Sequence, residues 1–267
     1  MKKQQTLSIL LVSLLLTSSN LLAFTLKGSD QDKGLAIAKE SDLRDQGWTD
    51  SISEMKMTLR NRTGDESIRE LRISNLEVSN DGDKSLTVFD SPKDVRGTGF
   101  LSFSHIDEAD DQWLYLPALK RVKRISSKNK SGPFMGSEFS FEDLASFEVD
   151  KYQYRYLGDE TIEGIASYKV EMIPRYAHSG YTRLVTWIDQ QEFRIQKIEF
   201  YDRKKSLLKT QIFRNYHPYQ DQYWRAHTME MSNHQTGKFT TLEFANFKFQ
   251  TGLNEQAFRK NALKRLR

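Results

Sequence analysis

From Trp48 onward apolar residues fall at every second position, and this period limits the fold more than any other feature of the chain. Met55, Met57 and Leu59 share one face, and Glu54, Lys56, Thr58 and Arg60 the other, the pattern of a half-buried strand. Similar stretches follow at 67–78, 85–89, 97–103, 113–117, 152–156, 168–172, 181–188, 193–200, 207–216, 222–231 and 238–249. Turn residues punctuate them at 62–65, 81–84, 158–160, 189–190, 202–204, 217–218 and 233–237. Turns spaced at about 10 to 14 residues, with no long helical period between them, predict an antiparallel meander. A single sheet of about ten or more strands cannot stay flat with one face in water, so it must curl, split or close. The expected class is mainly β with minor α, built on a large curved antiparallel sheet.

Only short segments carry a helical period. Residues 31–46 place Leu35, Ala38 and Leu43 on one stripe with Ile37 on its flank, behind Ser29 or Asp30 as N-cap and before Gly47 as stop. A second short helix is expected near 139–146, and 255–267 reads as a short helix or a frayed tail. At Ser74 and Asn75 the apolar phase slips from Leu71 and Ile73 to Leu76, which suggests a bulge.

Residues 110–143 join an aromatic strand to a basic one. Trp113, Tyr115 and Pro117 alternate with Leu114 and Leu116, so both faces of this strand should be covered. Lys120, Arg121, Lys123, Arg124, Lys128 and Lys130 follow without an acid, set around Leu119, Val122 and Ile125. This is a strand with cations at a rim, solvated or facing an anionic partner; it is not read as a nucleic-acid site. The loop beyond holds Phe134 and Met135 between Pro133 and Gly136, where they either enter the core or close over something. Asp107, Glu108, Asp110 and Asp111 read as a solvated acidic tip.

Lys2 and Lys3, the apolar run 7–16 and the polar stretch 17–20 have the order of a secretory signal peptide, with cleavage expected after Ala23. About ten apolar residues are too few for a membrane-spanning helix, which takes about 20. One domain is expected over 24–267, exported to a periplasm. The chain has no cysteine, which excludes disulfides, thiol chemistry and thiolate metal sites. His105, His178, His217, His227 and His234 are scattered, and no nucleophile elbow, phosphate loop, dinucleotide fingerprint or zinc-protease spacing occurs. Glu138 and Glu142 read as capping or surface residues. Neither an enzyme nor a cofactor or metal site is expected.

A curled sheet with few helices to roof it leaves an apolar hollow. Met55, Met57, Leu59, Trp113, Tyr115, Tyr154 and Met172 are the candidates to line it, with Phe134 and Met135 as lining or lid, and methionines suit ligands of variable shape. The other reading is that these side chains merely fill a core. Lys120, Arg121, Lys123 and Arg124 are the candidates to meet a head group or a partner.

The words DDQWLYLPALKRVKRI at 110–125 and NKSGPFMGSEFSFEDL at 129–144 resemble the LolA-like family of outer-membrane lipoprotein-sorting proteins. DGDKSL at 81–86, FDSPKDVRGTGFLSFSH at 89–105, FYDRK at 200–204, LLKT at 207–210 and NHQTGK at 233–238 fit in the same order. The resemblance implies a LolA/LolB-like fold, an unclosed barrel of antiparallel strands with short helices at its mouth and a cavity for acyl chains. It implies a periplasmic carrier of a lipid or lipidated protein, in lipoprotein sorting or lipid export. Its partners would be an outer-membrane acceptor or an inner-membrane exporter of the resistance-nodulation-division (RND) type. The alternative it leaves is an adaptor or sensor of such an exporter that transports no ligand.

Overall fold

The structure is a computed structural model and describes residues 24–266; the signal peptide expected at 1–23 lies outside the described residues. The first meander comprises β1 (Asp50–Arg60), β2 (Glu66–Leu76), β3 (Lys84–Ser91), β4 (Gly99–Phe103), β5 (Asp111–Leu116) and β6 (Arg121–Ile125). The second comprises β7 (Tyr152–Ile162), β8 (Ile165–Pro174), β9 (Tyr181–Asp189), β10 (Ile195–Asp202), β11 (Leu207–Tyr219), β12 (Tyr223–Asn233) and β13 (Phe239–Phe249). Each strand pairs antiparallel with its sequence neighbour within its meander, and β13 pairs with β1 to fuse the two into one 13-stranded sheet. β6 and β7 remain at opposite edges, so the curved sheet is an unclosed barrel, as expected.

Segment 126–151 connects these two edges by running across the inner face. Its Phe134 packs on Phe89, Phe100 and Phe141, with ring centroids 5.1–5.9 Å apart. Polar bonds fix the rest: Arg69 donates to the Met135 carbonyl, Gln112 to the Phe141 carbonyl, and the Glu138 amide to Thr240. The helix expected at 139–146 is reduced to a 3-10 turn, Glu142–Leu144, because these side chains and carbonyls are spent on the sheet instead of on a helix.

Helix α1 (Asp30–Arg44) begins with a capping box between Ser29 and Asp32. Its buried face is Gly34, Ile37 and Ala38, and Leu43, expected on the apolar stripe, is 62% exposed. Gly34 sets this rotation. A Cβ there would stand 2.9 Å from the backbone nitrogens of Arg155 and Tyr156, so only glycine lets the helix lie directly on β7.

The bulge expected at Ser74 and Asn75 is absent there. β1 and β2 pair without a break from Asp50↔Leu76 to Arg60↔Glu66, and the irregularity against β3 falls between Glu70 and Leu71. The phase slip has another cause: Leu71 and Ile73 face the inner core, whereas Leu76 faces a second, outer cluster. That cluster forms where residues beyond β13 fold back on the outside of β4–β6, burying Leu101, Trp113, Phe258 and Leu263. The 3-10 helix Lys260–Arg265 belongs to this segment, and packing against the sheet orders it.

Candidate functional site

Between α1 and the inner face of the second meander lies a cavity of about 1640 Å³. Val170 and Met172 from β8, Leu184, Thr186 and Ile188 from β9, and Ile198 from β10 form part of its wall, at alternate positions along β8 and β9 where the pleat turns them inward. Phe213 and Met229 extend the wall across β11 and β12, and Ala38 with the last turn of α1 forms its roof. Thr186 donates its hydroxyl to the Met172 sulfur, so this stretch of wall offers little polar competition to an apolar guest. Where polar groups approach the cavity they are already engaged: Tyr154 donates to the Val149 carbonyl and Tyr216 to the Ile195 carbonyl. Burial raises the pKa of both phenols, keeping them neutral.

The rim has a different character. Asp42 and Asp45 from the end of α1, Glu77 after β2, Asp83 before β3 and Glu148 before β7 all border the opening. Burial pushes Glu148 up to about 7, and the neighbouring Asp83 charge adds to the effect. Burial likewise carries Asp83 up to about 6, against the pull of the Val78 amide that donates to it. Asp45 also rises through burial, although Arg225 pairs with it at 2.5 Å. Glu77 accepts from the Gly47 and Thr49 amides and so ties the α1–β1 connection to the end of β2.

Of the residues singled out in the sequence, Tyr154 and Met172 meet at this cavity. Met55, Met57 and Leu59 do not line it, although they share the inner core cluster with Tyr154 and Met172 and with Phe134 and Phe139 of segment 126–151. Phe134 is 1% exposed and forms the centre of that filling rather than a lid, and the half-buried Met135 packs beside it. Trp113 and Tyr115 face outward beneath the residues that follow β13. Lys120, Arg121, Lys123 and Arg124 lie exposed on the β6 edge, outside the cavity wall, with Arg124 paired to Asp111.

Two acids were misplaced. Asp110, expected in a solvated tip, forms a buried ion pair with Lys151. Glu142 accepts from Tyr176, Ser179 and the Gly180 amide, and so latches the crossing segment onto the β8–β9 turn. The walls of β9–β12 were legible as strands but not as cavity, because the segment that decides which half of the sheet is filled is remote in sequence. The rim was not legible either, its acids coming from the end of α1 and the α1–β1, β2–β3 and β6–β7 connections, far apart in sequence.

The sequence profile of an uncharacterized protein family matches residues 81–265. None of the curated proteins matches the chain. Among solved structures, an outer membrane lipoprotein-sorting protein domain from Vibrio parahaemolyticus is 58% identical, with 88% of this chain and 99% of that one covered and a TM-score of 0.86. A DUF1329 family protein from Desulfovibrio piger is 31% identical over 88% of this chain and 100% of that one, with a TM-score of 0.84. A LolA superfamily protein from Nitrosomonas europaea shares the fold at 20% identity and a TM-score of 0.69, with 88% and 99% of the two chains covered. The edge-to-edge crossing segment, the unclosed sheet and the identity over nearly nine-tenths of the sequence agree: this chain belongs to the LolA-like family of outer membrane lipoprotein-sorting proteins.

Proposed function

We propose that the protein is a non-enzymatic carrier in the periplasm, delivered there by the signal peptide at 1–23, that holds the acyl chains of a lipid or lipidated protein within its single domain. The cavity of about 1640 Å³ carries this reading. It exceeds the roughly 300–1,000 Å³ of a site for a drug-sized molecule and has an apolar wall, as hydrocarbon chains require. Burying about ten methylenes contributes on the order of 8 kcal/mol, enough for retention without any reaction. Delivery then needs only an acceptor that offers the chains a comparable apolar surface.

Native mass spectrometry of protein purified from a Gram-negative host tests the reading. Co-purified lipid is the expected result, and Ile198→Trp/Met229→Trp, which narrows the cavity by replacing two wall side chains with larger ones, is expected to lower the amount retained while far-UV circular dichroism is unchanged. Met57→Ala serves as the comparison: it lowers stability by about 2–5 kcal/mol through a hole in the core away from the cavity wall but leaves lipid retention intact. A protein that carries no lipid, or a narrowed cavity whose lipid retention is undiminished, overturns the proposal.

A further inference from the structure

The end of the sheet remote from the cavity rim collects positive charge from two distant segments. Following the ladders from Asp50↔Leu76 through Leu76↔Lys84 and Phe103↔Asp111 places the rim at one set of strand ends. The turn Pro117–Leu119, after Leu116↔Arg121, lies at the opposite set. Lys120, Arg121 and Lys123 are exposed at this turn and along the β6 edge. The residues following β13 arrive at the same place: a Cβ at Gly97 would lie 3.4 Å from Pro117 and 4.0 Å from the Leu266 carbonyl. Phe258 and Leu263 anchor that segment in the outer cluster, leaving Arg259, Lys260, Lys264 and Arg265 exposed. Among the described residues no carboxylate pairs with Lys120, Arg121, Lys123, Lys264 or Arg265. Leu119, at the tip of the turn and amid these cations, is 67% exposed.

We propose that this end of the sheet docks on an anionic phospholipid surface, with the cations against the head groups and Leu119 inserted between them. Gathering cations that no carboxylate pairs with is unfavourable in the free protein and becomes favourable against a negative surface, where each Lys or Arg contributes about fivefold to partitioning. An apolar tip within the patch fits a bilayer interface better than the charged face of an acidic protein. The acidic rim then points away from the membrane, so docking leaves the cavity open. The reading is independent of what the cavity holds.

Sedimentation of the full mature chain with phosphatidylcholine vesicles, and with vesicles also containing phosphatidylglycerol, tests it at low and high salt. Preference for the anionic vesicles, weakened by salt, is expected. Lys120→Glu/Arg121→Glu/Lys264→Glu/Arg265→Glu is expected to reduce binding more than about tenfold. The charge-matched Lys27→Glu/Lys39→Glu/Lys128→Glu/Lys248→Glu, exposed residues away from this end of the sheet, is expected to remain within about threefold of the parent. Leu119→Asp separates insertion from charge and is expected to weaken binding in high salt most. Equal binding to both vesicle types, equal losses in the two quadruple variants, or engagement of the cations by an acidic protein with no vesicle binding would each overturn the proposal.

Discussion

Glu148 leaves the crossing segment just before β7, and its carboxyl faces the turn that holds Asp83. The groups around it are Asp83, Asp42 and Asp110, which oppose its ionisation, and Lys151, which favours it but is itself paired with Asp110. A carboxyl raised on folding binds its proton more tightly in the native state. The native state therefore loses stability as pH climbs from the ordinary 4.5 through about 7. Glu148→Gln removes this loss. Its melting temperature should exceed that of the parent by roughly 2–4 °C at about pH 8 and match it near about pH 5, as differential scanning calorimetry at the two pH values would show. Lys209 and Asp143 present the opposite case, 4% and 3% exposed at the side chain and fully engaged. Lys209 also donates to the Glu138 carbonyl and Tyr181 donates to Asp143. Asp143→Ala leaves the ammonium buried without its counter-ion and should cost about 3–5 kcal/mol in urea denaturation. The double variant Lys209→Met/Asp143→Ala should cost less than the two single changes summed, because neither leaves the other's charge stranded. Neither pair was visible in the sequence, where Asp143 was one acid of a loop and Lys209 one residue of a strand.

At the level of elements, helix α1 shows how packing outranks propensity. Gly34→Ala would gain about 1 kcal/mol in helix propensity at an interior position. The added methyl meets the backbone of Arg155 and Tyr156 at 2.9 Å, and backbone cannot move aside as a flexible side chain can. A net loss of about 1–3 kcal/mol is expected in chemical denaturation, with α1 lifted off β7. The strands themselves were legible because an alternation of period two needs only local sequence, as with Met55, Met57 and Leu59 on β1. The faces were less so. Trp113 and Leu114 are both buried, and sequence predicts that both faces are covered, but it does not say that Leu114 meets the inner core and Trp113 the residues beyond β13. For the same reason Leu43 was misread: its position on the stripe was sound, and the close approach at Gly34 turned the stripe away from it.

At the scale of the molecule, the inner face is divided. The half beneath segment 126–151 is packed with Phe89, Phe100, Phe134 and Phe139, and the half beneath α1 is left hollow. A family resemblance points to a hollow, but Met55, Met57 and Leu59 of β1 do not line it, so the best sequence candidates missed it. Charge is divided as well, with Asp83 and Glu148 at the open end and Lys120 and Lys264 at the other. The strand order has its own consequence for how the chain assembles. Each meander needs only near neighbours, so each can form as its own strands emerge, the first well before the second. Their common seam, β1 against β13, joins residues almost 200 positions apart and waits for synthesis to reach Phe239–Phe249. Until then β1 presents a bare strand edge at what will become the middle of the sheet, the place where a nascent chain of this design most needs shielding from its own copies.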